Sequence, residues 1–168
     1  MPEPRLALIV LGLGLALAGC AGRRIVEGVY HSPHGYRITL PGATWALADG
    51  GSAEVELVDH ATGAAMLAHA SCEAGLSGRS LPVLLRYPLF GLRERTMLEE
   101  GEVSLNGRRA AHALVEGRMR GAEDRVKVEL YVMKHEGCVY DLLYAASPER
   151  FDQGRAAFQR FVETFRTE

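Results

Sequence analysis

Residues 97–146 alternate apolar and polar side chains in successive runs, each closed by a turn sequence, and this restricts the chain to an antiparallel meander. Residues 97–105 lead into Asn106-Gly107, a pair that readily takes the two positive φ angles of a tight hairpin turn. Residues 108–117 return, and Gly121-Ala122-Glu123-Asp124 supplies the next reversal. Arg125 to Lys134 alternates most cleanly, placing Val126, Val128, Leu130 and Val132 on one face of a strand. His135-Glu136-Gly137 then feeds the run Cys138 to Ala146. That run is apolar on both faces, Val139 and Leu143 against Tyr140, Leu142 and Tyr144, so it is expected to be a central strand covered on both sides.

The flanking sequence supplies the rest of a layered domain. Tyr36, Ile38 and Leu40 alternate with polar residues up to Pro41-Gly42, with Trp45 just beyond. Glu54 to His60 reads as a half-buried strand, Ala61-Thr62-Gly63 as its turn, and residues 64–72 as the hairpin partner. After a break at Gly75, Ser77 and Gly78, a helix is expected from Ser80 to Gly91. Leu81, Leu84, Leu85 and Leu89 fall at helical spacing, and Pro82 is tolerated in the first turn. A second helix is expected to start at Ser147-Pro148-Glu149, with Ser147 as its cap. It carries Phe151, Phe158, Phe161, Val162 and Phe165 in one stripe, the pattern of a core face. The fold class is therefore α+β, a central antiparallel sheet flanked by helices.

The first twenty residues carry a different signal. Leu6 to Ala16 is an unbroken apolar run preceded by Arg5; it has signal-peptide length and falls short of the ~20 residues that span a bilayer. It ends in Leu17-Ala18-Gly19-Cys20, which resembles the lipobox of bacterial prolipoproteins: Leu at −3, small residues next, then the cysteine that is lipidated. The resemblance implies a signal peptide over residues 1–19. It further implies cleavage before Cys20, diacylglycerol on its thiol and an N-acyl chain on its amine. Residues 20–28 would then be a lipidated tether, and residues 29–168 a single domain of ordinary size. Ala21 in place of Asp implies the periplasmic face of the outer membrane. Two or more acyl chains anchor stably where one is marginal.

The order of landmarks in the domain resembles the PsbP-like family, relatives of an extrinsic protein of photosystem II. Gly35-Tyr36-Arg37-Ile38-Thr39-Leu40-Pro41 with Trp45, Val139-Tyr140-Asp141-Leu142-Leu143-Tyr144, and Ser147-Pro148 before the Phe-rich helix carry the likeness. It implies an antiparallel sheet between helices, the fold shared with a small nuclear-transport factor that binds the Ran GTPase. Members act mostly as assembly, stabilising or docking factors. The metal-binding motif of the plant proteins has no residue-by-residue match here.

Motifs that carry catalysis are missing from the sequence: it contains no GxSxG, Walker or GxGxxG pattern, and no HExxH or CxxC. His31 and His34 are close in sequence, while His60, His69, His112 and His135 fall on separate elements, so no metal site is expected. Asp141 sits among apolar neighbours, either as a tuned acid or, as expected here, a carboxylate satisfied by an arginine or backbone amide. Cys72 and Cys138 fall at strand ends; in an oxidising compartment they either form a disulfide or remain two separated thiols.

Net charge is −2, with only Lys127 and Lys134 as lysines among 19 basic residues, and gives no footprint for nucleic acid. Arg108 and Arg109 lie at one meander turn and Arg118, Arg120 and Arg125 at the next, so they are expected at opposite ends of the sheet. The expectation is thus a non-catalytic, lipid-anchored accessory domain that docks on another envelope protein and needs no cofactor. The alternative is a small-ligand binder using a groove between sheet and helix.

Overall fold

The computed structural model describes residues 25–168. The meander pattern produces its largest feature, a seven-stranded antiparallel sheet. Its strands are β4 (Trp45–Leu47), β5 (Val55–Asp59), β6 (Ala64–Ser71), β7 (Leu92–Leu105), β8 (Arg108–Met119), β9 (Arg125–His135) and β10 (Cys138–Ala146). They lie side by side in the order β4-β5-β6-β10-β9-β8-β7. The strand that is apolar on both faces, β10, sits between β6 and β9 as its composition requires. At the first meander turn Asn106 and Gly107 take φ of 51° and 79°, the paired positive angles that match the twist of the flanking strands.

Each face of the sheet has its own core. On one face packs α2 (Phe151–Thr164), whose Phe151, Phe158 and Phe161 meet Met66, Leu142 and Tyr144. Beside it lies a second, four-stranded sheet in the order β1-β2-β3-β11, made of β1 (Ile25–Val26), β2 (Val29–His31), β3 (Tyr36–Thr39) and β11 (Arg166–Thr167). Tyr36 joins the two layers, its ring 5.8 Å from that of Tyr140 and 5.2 Å from that of Phe165. On the other face, Leu81, Leu84, Leu85 and Leu89 close over Val128, Leu130, Val132 and Val139.

Four expectations are corrected. The helix expected over Ser80–Gly91 is α1 (Leu81–Leu84) followed by a separate 3₁₀ turn, Pro88–Gly91. Pro88 has no amide hydrogen to give Leu84 and its ring clashes with that carbonyl, so the helix cannot run through. Among the described residues only one long helix therefore flanks the sheet, and the domain is mostly β. Ser147 does not cap α2: it begins a turn in which Arg150 N donates to its carbonyl at 3.0 Å, and helix starts at Phe151. Ile25 and Val26, inside the segment read as tether, pair with Tyr30 and Val29, because Glu27 and Gly28 take φ of 49° and 76° and close a hairpin. Finally, β7 begins at Leu92 rather than residue 97, since its first residues pair with β8 through two register shifts that no alternation announces.

Candidate functional site

Leu17, Ala18, Gly19 and Cys20 lie outside the described residues. Cys72 and Cys138 are joined as a disulfide, with Cα atoms 4.1 Å apart. The pair extends the β6–β10 ladder, in which Ser71 already faces Val139.

Three polar clusters involve the histidines. His34 and Ser32 both hydrogen-bond the Glu54 carboxylate, which fastens the 31–35 loop to the start of β5. His69 faces Asp141 across the β6–β10 ladder, and its Nε2 lies 3.3 Å from Ser71 Oγ. Contrary to expectation, no arginine or amide among the described residues reaches Asp141: its Oδ1 and His69 Nδ1 are both buried without a partner there. Burial alone pushes the Asp141 carboxyl up to about 7. His112 belongs to the third cluster, around Glu129 of β9. This carboxylate is fully buried and accepts from His112 Nε2 at 3.1 Å, from Arg155 twice, at 2.9 and 3.1 Å, and from Gln159 Nε2 at 3.2 Å. Burial acts to raise its pKa, but the hydrogen bonds from His112 and Arg155 outweigh burial and hold it below the usual carboxylate value. Each cluster joins neighbouring elements within the fold. Among the described residues, no three His, Cys, Asp or Glu side chains come together as a set that could hold a metal ion.

The feature best suited to bind something lies where α1 and the 3₁₀ turn meet β7. Leu85 and Leu89 point into the core, so their neighbours Val83, Arg86 and Phe90 face outward, with Tyr87 half-buried between. Together with Arg95, Met97 and Glu100 of β7 they line a groove of about 430 Å³. Phe90 is 62% exposed and its ring lies 5.7 Å from that of Tyr87; Met97 and Leu98 on β7 are 43% and 44% exposed. These exposed apolar side chains gather at the β7 edge of the sheet. Arg95 is oriented by a bond from Nη1 to Leu89 O at 3.3 Å, so a guanidinium sits among apolar walls. The one sequence signal for this site is Phe90, an aromatic residue off the leucine stripe. As expected, Arg108 and Arg109 and the group Arg118, Arg120 and Arg125 lie at opposite ends of β8. Most of these side chains are engaged locally, Arg109 with Glu102, Arg118 with Glu94 and Arg125 with Glu116.

No protein-family model and no curated protein sequence matches the chain. Solved structures do. The chain is similar to the cyanobacterial PsbP protein (CyanoP) of Synechocystis sp. PCC 6803, with TM-score 0.55 and 14% identity, over 90% of this chain and 99% of that one. It is also similar to LpqN, involved in cell envelope biogenesis of Mycobacterium tuberculosis, with TM-score 0.57 and 18% identity, over 82% of this chain and 87% of that one. The fold is PsbP-like. A third match, a Bacteroides thetaiotaomicron protein, has TM-score 0.56 and 9% identity; it covers 84% of this chain and 48% of that protein, so it too bears on fold alone.

Proposed function

We propose that this chain is a lipid-anchored envelope protein whose PsbP-like domain is a non-catalytic docking module, bound to the periplasmic face of the outer membrane through Cys20. The observation that carries the reading is the position of the uncovered apolar edge. Ile25, where the described chain begins, shares a cavity with Leu47, Ala48 and Glu56 at the β4–β5 edge of the large sheet. Phe90, Met97 and Leu98 lie at the opposite edge, across seven strands and roughly 29 Å of sheet at the usual strand spacing. From Cys20 to Ile25 the chain reaches no more than about 18 Å when fully extended. An anchor at Cys20 therefore holds the β4–β5 edge near the bilayer and turns the apolar edge towards soluble or membrane partners in the periplasm. The likeness to LpqN supports an envelope role.

The test is crosslinking in native envelopes with the wild type, Cys20→Ala, and the pair Val83→Ser with Phe90→Ser. Wild type is expected to recover a defined protein that the groove variant loses while remaining folded and acylated. Cys20→Ala is expected to lose acyl labelling and membrane retention. Equal recovery by the groove variant would overturn docking at this site, and retained acylation of Cys20→Ala would overturn the anchor.

A second reading rests on Arg86 and Arg95 beside the apolar walls: the groove would bind a small amphiphile with an anionic head. Native mass spectrometry of protein extracted from envelopes checks it, with a co-purifying acidic lipid that Arg95→Ala loses as the expected result.

A further inference from the structure

We propose that β7 is a self-pairing edge, through which two copies of this chain join antiparallel about a two-fold axis near Met97 and Leu98 into one continuous sheet. This goes beyond the docking reading: it assigns Met97 and Leu98 to the contact between copies and leaves Val83, Tyr87 and Phe90 to the docking partner.

The backbone supplies the first part of the case. Strand β7 is bonded on one side only, to β8, so its outer row of amides and carbonyls has no partner strand among the described residues. From Arg93 to Ser104 its side chains are exposed on both faces, because α1 covers β8 and β9 and α2 lies elsewhere. A fourteen-residue strand ordered with so little burial is a ready template for another strand. Of the devices that protect edge strands, β7 has charged side chains and bulges but not shortness, proline or lysine. It is the longest strand in the described structure, and it exposes Met97, Leu98 and Val103. Its two register shifts lie in the first half, and about an axis at Met97-Leu98 that half meets the other copy's uninterrupted run from Glu99 onward.

Charge identifies the occupant. The first half of β7 carries Arg93, Glu94 and Arg95, the second half Glu99, Glu100 and Glu102, and the apolar pair Met97-Leu98 lies between. Glu94 is paired with Arg118 and Glu102 with Arg109 inside the same chain, so Arg93 and Arg95 on one side and Glu99 and Glu100 on the other are the charges offered to a second copy. Two copies placed parallel would set like charge against like. Placed antiparallel, the arginine half of each copy meets the glutamate half of the other, and the apolar centres meet at the axis. An edge of uniform sign would repel a second copy in either direction; this one is complementary to itself reversed. Such an interface is isologous and closes at two copies.

The experiment measures the mass of full-length lipidated protein by sedimentation equilibrium in density-matched detergent. It compares the wild type, Arg93→Glu with Arg95→Glu, Glu99→Arg with Glu100→Arg, and an equimolar mixture of the two charge variants. The wild type is expected to be a dimer. Each charge variant alone is expected to dissociate with about a tenfold or greater loss of affinity, because like charges then face each other across the interface. The mixture is expected to recover the dimer. Circular dichroism melts confirm that each variant is folded, and Met97→Cys is expected to give a covalent dimer in native envelopes. A monomeric wild type overturns self-pairing, as do variants that dimerise as well as the wild type or a mixture that fails to recover. A monomer that still captures a groove-dependent partner would leave the docking reading standing and this one refuted.

Discussion

Arg155 of α2 grips Glu129 of β9 with two hydrogen bonds, from Nε to Oε2 at 2.9 Å and from Nη2 to Oε1 at 3.1 Å, and so ties helix to sheet through a carboxylate with no access to solvent. His112, Gln159 and the Tyr131 hydroxyl also donate to it. Arg155→Ala leaves that carboxylate buried without its guanidinium and is expected to cost about 3 kcal/mol. Arg155→Ala with Glu129→Leu is expected to be milder than Arg155→Ala alone, since the orphaned charge goes too. Urea unfolding of the three proteins checks the order. Because the pairing lowers the carboxyl's pKa, its contribution is present above the ordinary value of 4.5 and is lost as pH falls through the lowered value in the fold.

Asp141 has the opposite sign. Burial raises its pKa from 3.8 to about 7, so the folded state prefers the neutral acid. Stability from this group is full below about pH 4 and declines as pH rises to about 7, where the carboxyl ionises in both states. At about 1.4 kcal/mol per pKa unit the loss is on the order of 4 kcal/mol. Asp141→Asn is expected to flatten the stability profile between these limits and to be more stable than wild type at pH 8. A variant whose profile runs parallel to that of the wild type would show that folding leaves this carboxyl's pKa unshifted.

The Cys72–Cys138 bond closes a separation of 66 residues between adjacent strands. On the chain-entropy account a loop of that length gives about 4 kcal/mol, by restricting the unfolded chain. Alkylation of denatured protein without reductant, followed by mass measurement, is expected to leave both thiols unmodified. Cys72→Ala with Cys138→Ala is expected to lower the unfolding free energy by that amount without changing the strand order.

The sheet was legible because β-strand patterning is local: alternation and turn pairs place β8, β9 and β10 within a residue or two, and the doubly apolar β10 announces its central place. What failed depends on contacts between distant elements. Glu129 lies on the polar side of the cleanest alternation in the chain and reads as solvent-facing. It is buried because α2 covers that side too, and the sign of this was Arg155 and Gln159, four residues apart beside an apolar stripe. Asp141 was expected to find a partner, but its register neighbours are His69 and Val132 and no arginine reaches it. In the groove, the leucine stripe showed which side of residues 80–91 is buried. That the outer side meets β7 depends on the break at Pro88 and on the start of β7 at Leu92, and neither has a periodic signal.

Gly154 shows what such a contact demands. It lies in the first turn of α2, where alanine ordinarily stabilises a helix by about 1 kcal/mol over glycine. Directly beneath it Tyr144, whose hydroxyl donates to Phe151 O at 2.8 Å, stacks on Phe158 at 5.5 Å. A Cβ on Gly154 would stand 2.6 Å from that hydroxyl oxygen and 3.1 Å from Cζ, so either the ring or the helix must move. Tyr144 is fully buried, its hydroxyl pKa raised to about 12 chiefly by burial, and its ring has no free space to shift into. Gly154→Ala is therefore expected to destabilise by about 1–3 kcal/mol, the cost of overpacking a filled core, despite its better helix propensity. Tyr144→Phe removes the oxygen that clashes, so in its presence Gly154→Ala is expected to cost less. A double-mutant cycle by urea unfolding measures the coupling. Additive effects would mean that the helix does not rest on the Tyr144 hydroxyl.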